Sequence, residues 1–199
     1  MRNPVYYSSE AVRGVLIKKK MEFKQFKEEC KRTCASLGSR ESDLSHMIMG
    51  MVSEIVELDD ALKIRDTVNV GEEVADIYWY LMNYISFRNL DINLEQTEIS
   101  KYRFDSWRLV IKLSIEISKL SDLTKKYIAY GRPIDELEEQ ELILEIDSYL
   151  QAILLRKGLD LGNILQNNID KLKIRFPEKF NENEANNRNL TKERKELEK

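Results

Sequence analysis

Two acidic pairs stand out in the 199-residue chain: Glu54 with Glu57, and Glu73 with Asp76, each pair separated by two residues. In a helix, positions i and i+3 share a face. Around the first pair, Leu44, Ile48, Met51, Ile55, Leu58 and Leu62 fall on one apolar stripe. Glu54 and Glu57 lie beside that stripe rather than opposite it, in a sector shared with Met47, Gly50 and Ala61. Around the second pair, Val70, Val74, Ile77, Leu81 and Tyr84 make the stripe, while Glu73, Asp76, Tyr80, Asn83 and Phe87 occupy the adjoining sector. If the two helices form an antiparallel hairpin, the four carboxylates converge. Carboxylates gathered at the rim of a core repel one another unless cations compensate. An all-oxygen set, with a single histidine in the chain and no thiolate nearby, suits Mg²⁺ or Mn²⁺ rather than zinc. A di-iron centre needs two Glu-x-x-His motifs and is excluded. The alternative is a solvated acidic face.

The elements that must position these residues are helical. Only 7 Gly and 3 Pro interrupt the chain, and 32 basic residues nearly balance 35 acidic ones, for a net charge of −3. Such a composition fits an all-α protein and argues against nucleic acid as a partner. No apolar run is long enough to span a membrane. MRNPVYYSSE at the start has no apolar signal core, and Cys30 and Cys34 read as reduced thiols on one helix face, so a cytoplasmic setting is expected. Residues 1–20, with the basic run Lys18, Lys19 and Lys20 taken as solvated surface, read as an extension. Helical spacing then predicts a helix over residues 21–37, and a second capped by Ser42 or Asp43 and running to Ile64. A third is capped by Asn69 and runs to Phe87, and a short one follows Asp91. Long helices follow over 105–130, stopped by Gly131 and Pro133, and over 134–157, stopped by Gly158, with a last one over 160–176. SEIVELDDALK (53–63) aligns with IEISKLSDLTK (115–125), and YLMNYISFRNLDI (80–92) aligns with YLQAILLRKGLDL (149–161). The order of elements is the same in both. The expected organisation is a bundle of two tandem hairpin repeats packed as a pseudo-dimer. The first half (21–104) carries the acids, the second (105–176) is degenerate, and a polar tail (177–199) either drapes on the domain or stays mobile.

HMIMGMVSEIVELDDALK followed by GEEVADIYWYLMN resembles the MazG-like all-α nucleoside triphosphate pyrophosphohydrolases. The family signature is Glu-x-x-Glu, a spacer, then Glu-x-x-Asp; here Glu54-x-x-Glu57, fifteen residues, and Glu73-x-x-Asp76, with Gly50 and Asn83 also matching. Downstream, Lys171-Leu172-x-x-Arg175-Phe176-Pro177, Phe180 and an Asn-rich stretch reaching Arg188 resemble the basic segment that closes many such domains. The resemblance implies hydrolysis of a nucleoside triphosphate, ribo or deoxyribo, between its α and β phosphates, giving the monophosphate and pyrophosphate. It implies Mg²⁺, with Mn²⁺ as a substitute, held by Glu54, Glu57, Glu73 and Asp76, and Glu54 or Glu57 as the base that takes the water's proton. Lys171 and Arg175 are implied as a phosphate clamp, Arg188 as a further substrate contact, His46 as a neighbour of the base, and Asn83 as a substrate contact or support for the metal site. A homo-oligomer is compatible with it.

The second copy departs from the pattern. Glu116 survives, but Lys119, Leu142 and Glu145 stand where Glu, Glu and Asp would be needed. In the first copy, EISKYRF (98–104) is the counterpart of the basic segment and has no following proline. The halves are complementary, which predicts one working site per chain. Trp79 and Trp107 read as packing residues. Two further readings compete: a non-catalytic helical interaction module, and a metal-dependent phosphohydrolase with another cleavage position or substrate, such as an alarmone nucleotide.

Overall fold

The computed structural model describes residues 21–94 and 104–198, which form helices and no strand. The helices are α1 (Phe23–Thr33), α2 (Arg40–Ile64), α3 (Thr67–Arg88), α4 (Ser106–Tyr130), α5 (Glu136–Lys157), α6 (Leu161–Arg175), α7 (Glu182–Asn186) and α8 (Leu190–Leu197). None is long and apolar enough to cross a membrane. The all-α expectation holds. The 1–20 extension with its basic run, and residues 98–103 of the EISKYRF segment, lie outside the described residues. Residues 91–94, where a short helix was expected to begin, are not helical.

Caps set the register. The α2 cap is Ser39, whose hydroxyl accepts from the Ser42 amide, so Ser42 and Asp43 lie inside the first turn. Asp43 instead turns back, accepting from the Leu37 amide at 2.6 Å and pinning the approach from α1. The α3 cap is Asp66, which accepts from the amide of Asn69, the residue expected to cap it. Here the carboxylate three residues earlier satisfies the donor that Asn69 would have left inside the helix. Gly131 and Gly158 end α4 and α5 in the left-handed region as expected (φ 64° and 67°), while Arg65 and Asn89 take the same conformation without being glycine.

α2 and α3 pack along their length, as do α4 and α5, and the two hairpins meet chiefly through α2 and α4. Both predicted seams face this core: Leu44, Ile48, Met51 and Leu58 on α2, and Val70, Val74, Ile77, Leu81 and Tyr84 on α3, are all buried. Buried polar bonds tie α3 to α5. Tyr84 donates to Glu139 at 2.6 Å, Arg88 donates to both oxygens of Glu139 at 2.7 and 2.9 Å, and Tyr78 donates to Asp147 at 2.6 Å. Each leaves no charge without a partner, the condition on which burial of such groups depends. α6 crosses α1 and α3, and α8 lies on α6. Of the two expectations for the tail, the described residues show it lying on the domain, with two short helices and Glu193 of α8 only 2% exposed. Trp107, expected to pack, is exposed near the start of α4.

Gly50 fixes how closely α2 and α3 approach, because a Cβ there would lie 2.1 Å from Cε1 of the Tyr80 ring. Gly50→Ala should destabilise the protein by about 1–3 kcal/mol through overpacking. It should also displace Tyr80, readable as a lower denaturant midpoint at unchanged slope.

Candidate functional site

The flank of the α2–α3 seam opens into a cleft of about 300 Å³ bounded by the end of α1, by α6 and by the turn that follows it. Glu54 and Glu57 reach it from consecutive turns of α2, Glu72, Glu73 and Asp76 from α3. One carboxylate oxygen each of Glu54, Glu57 and Glu73 lies within 4.8 Å of the others, the one such trio of potential metal ligands among the described residues. Three carboxylate oxygens gathered in this way are hard donors of the kind a hard divalent cation takes. Burial, with Asp76 close by, pushes Glu54 up to about 7 and Glu73 up further, and the two carboxyls lie within hydrogen-bond reach of each other.

Asp76 stands apart from the trio. Lys171 of α6 places its ammonium 2.7 and 2.9 Å from the two Asp76 oxygens and 3.1 Å from Glu72, and Asn168 donates to Asp76 as well. Lys171 is 1% exposed and does not line the cleft. Burial alone would pull its ammonium down, but Asp76 and Glu72 outweigh this and hold it above its ordinary value. The expected two-cation clamp of Lys171 and Arg175 thus divides: Lys171 neutralises acids beneath the cleft floor, while Arg175 lines the cleft itself. One helical turn separates them, enough to put one inside the α3–α6 contact and the other at its edge.

Arg175 and Arg188 are joined through Glu193. Arg175 donates to it through Nη2 at 2.6 Å and Nε at 3.3 Å, and Arg188 through Nη2 at 2.8 Å. Burial would raise the Glu193 carboxyl, but the two guanidinium groups outweigh it and bring it down to about 2. Arg188 lines the cleft as expected. His46 does too; its Nδ1 is buried without a hydrogen-bond partner and its ring meets Tyr80 edge-on. Asn83, expected as a substrate contact or support for the metal site, is buried, donates to the Trp79 carbonyl at 3.0 Å within its own helix, and is not among the residues that line the cleft.

The opposite wall is aromatic. Trp79, expected only to pack, lines the cleft, donates through Nε1 to Thr33 at 2.8 Å and meets Tyr80 at right angles. Phe176 and Phe180 stack at 5.4 Å across the turn after α6. Arg32 of α1 holds that turn, donating to the carbonyls of Phe176 and Glu178 at 2.9 and 2.8 Å. Glu72, Tyr80 and Glu193 were missed by sequence reasoning. Glu72 was overshadowed by its neighbour in the Glu-x-x-Asp pair, and Glu193 lies in a segment with no apolar period.

In the second hairpin, Glu116 pairs with Lys119 at 2.9 Å and Leu142 is buried, so the counterpart positions assemble no acidic trio. Both thiols are held protonated: burial pushes Cys30 up, and Cys34, which caps α1 from outside the helix, up to about 12.

Glu54 and Glu73 hold their protons longer in the folded chain than in the unfolded one. The folded state therefore binds more protons between the ordinary carboxylate range and the raised values, and stability falls as pH rises through that interval. Thermal melts of the metal-free protein in chelator should show Tm decreasing from pH 5 through pH 7 and above, and Glu73→Gln should flatten the slope. A profile that is flat or rises over that range would contradict the crowding of these acids. Compared with known proteins, the chain matches no family model, no curated relative and no solved structure.

Proposed function

We propose that the protein is a Mg²⁺-dependent nucleoside triphosphate pyrophosphohydrolase of MazG-like type, releasing pyrophosphate and a nucleoside monophosphate. The observation that carries this reading is the set of groups lining one cleft: an oxygen-only trio of Glu54, Glu57 and Glu73, the guanidinium groups of Arg175 and Arg188, and the aromatic side chains of Trp79, Tyr80 and Phe176. A divalent cation, a polyphosphate and a base are the ligand parts those surfaces suit. The pairing of hairpins α2/α3 and α4/α5 supports the tandem-repeat, pseudo-dimer organisation, with a single site in the first half.

Glu54, Glu57 and Glu73 would hold the ion, with Asp76 completing the set where Lys171 yields one of its oxygens. When bound, Mg²⁺ supplies charge neutralisation for the triphosphate and acidifies a water for in-line attack. Arg175 and Arg188 then hold phosphate oxygens through planar N–H forks. Glu54 or Glu57, whichever keeps a free oxygen, accepts the proton of the attacking water. His46, with its unpartnered Nδ1, offers a polar contact at the base.

Glu54→Gln, Glu57→Gln, Glu73→Gln and Asp76→Asn should each lower turnover by roughly 10²–10³, the usual scale for losing one charge-stabilising contact. The three Glu variants should keep their helix content, since repulsion falls, whereas Asp76→Asn also leaves the buried Lys171 ammonium with a weaker partner and should cost stability as well. Glu116→Gln should have little effect. Product analysis over the ribo- and deoxyribonucleoside triphosphates with Mg²⁺ tests the reaction: pyrophosphate supports it, phosphate alone indicates another phosphohydrolase, and no turnover with any triphosphate returns the chain to the interaction-module reading.

A further inference from the structure

We infer that Glu193 is a positioning residue that gathers Arg175 and Arg188 into one receptor for a condensed-phosphate anion, so that α8 completes the cleft from outside the hairpin carrying the acids. The inference rests on reading the cleft as a phosphate site. Its ground is geometric. One buried carboxylate takes both guanidinium groups: Arg175 by Nη2 and Nε at 2.6 and 3.3 Å, Arg188 by Nη2 at 2.8 Å. One arginine suffices to neutralise one carboxylate, and a buried ion pair is a poor source of stability compared with apolar packing. The second cation leaves the group with a net charge of +1, facing a cleft shared with five carboxylates of α2 and α3. Each guanidinium carries five N–H donors, and the bonds to Glu193 use three of their combined set. The rest of each fork is oriented but not consumed.

Arg188 shows what Glu193 adds. It sits between two short helices, and its side chain is 42% exposed. Left alone, such an arginine is a mobile surface charge repelled by its neighbour Arg175. The carboxylate between them removes that repulsion and fixes both forks on one side of the cleft. α8 is itself tied down. Arg194 donates to both oxygens of Asp66 at 3.2 Å, and Asn167 of α6 donates to the Leu197 carbonyl at 3.4 Å. Asp66 is also the cap of α3, so the helix that delivers Glu193 is registered on the turn that starts the helix delivering Glu73 and Asp76.

The test uses the full chain, inorganic triphosphate as the probe and calorimetry in the presence of Mn²⁺, with Mn²⁺ binding measured separately. Glu193→Gln keeps the shape but sets an amide against two guanidinium groups. It should weaken triphosphate binding about 10-fold while Mn²⁺ affinity changes less than about twofold. Arg188→Gln, at an exposed position that cannot unfold the bundle, should cause a similar loss. The double variant should lose no more than about 10-fold, because both changes break one unit. With a nucleotide that turns over, KM should rise while kcat holds within about threefold. Unchanged or tighter triphosphate binding in Glu193→Gln would overturn the inference, since Glu193 would then be a spectator or a competitor for the arginines. So would a parallel loss of Mn²⁺ and triphosphate binding, the mark of a purely structural role. If the parent binds Mn²⁺ and triphosphate but hydrolyses no nucleotide, the catalytic reading fails while the positioning result still stands.

Discussion

Five carboxylates from two adjacent helices face one cleft, and in a half-buried setting two such charges about 5 Å apart repel by roughly 3 kcal/mol. Much of the surrounding chain can be understood as the means by which that repulsion is contained without a permanent apolar plug. Two carboxyls, Glu54 and Glu73, meet across the α2–α3 seam and hold their protons to higher pH than free carboxylates do. A third, Asp76, half-buried at the cleft, is matched by a buried ammonium delivered from α6. The remaining field falls on the arginines beyond. Among the described residues, the trio of Glu54, Glu57 and Glu73 has no cation of the chain beside it to match Lys171 at Asp76, which is in keeping with the proposed metal-binding role.

The two hairpins take opposite approaches to the same problem. In α2/α3 the acids remain and their compensation is imported over long sequence distances. In α4/α5 the compensation is local, Lys119 beside Glu116 on one helix, and a leucine fills the position of another acid. That hairpin is free to act as a support. It supplies Glu139 and Asp147, whose bonds to Arg88, Tyr84 and Tyr78 hold the back of α3 while its front carries the acids.

The helices and the sector carrying the acids could be read from the residues because both follow from a 3.6-residue period and a buried stripe. The caps shifted where several acceptors compete within three residues, as with Ser39 against Ser42 and Asp66 against Asn69. Asn83 and Lys171 could not be located by that period. A wheel gives an angle, but whether a polar residue at that angle meets a cleft or a neighbouring helix depends on α6 crossing α3. Helix α8 was invisible for a different reason. It is fastened by Arg175, Arg188, Arg194 and their carboxylate partners, and such pairs leave no apolar rhythm. Trp79 and Trp107, both expected to pack, part ways, one lining the cleft and the other exposed, because one aromatic residue on a helix flank gives no sign of which side will be covered.

The tie between Glu193 and the arginines also has a temporal side. Asp76 precedes Glu193 by 117 residues in the chain, about ten seconds of translation at ordinary rates. While the nascent chain emerges, the acidic hairpin exists first, then Lys171 arrives to quiet Asp76, and the guanidinium pair is assembled last. The cations that face the acids are thus encoded late: every acid of the α2–α3 cleft is synthesised before Lys171, Arg175 and Arg188, and the carboxylate that joins the two arginines comes last of all.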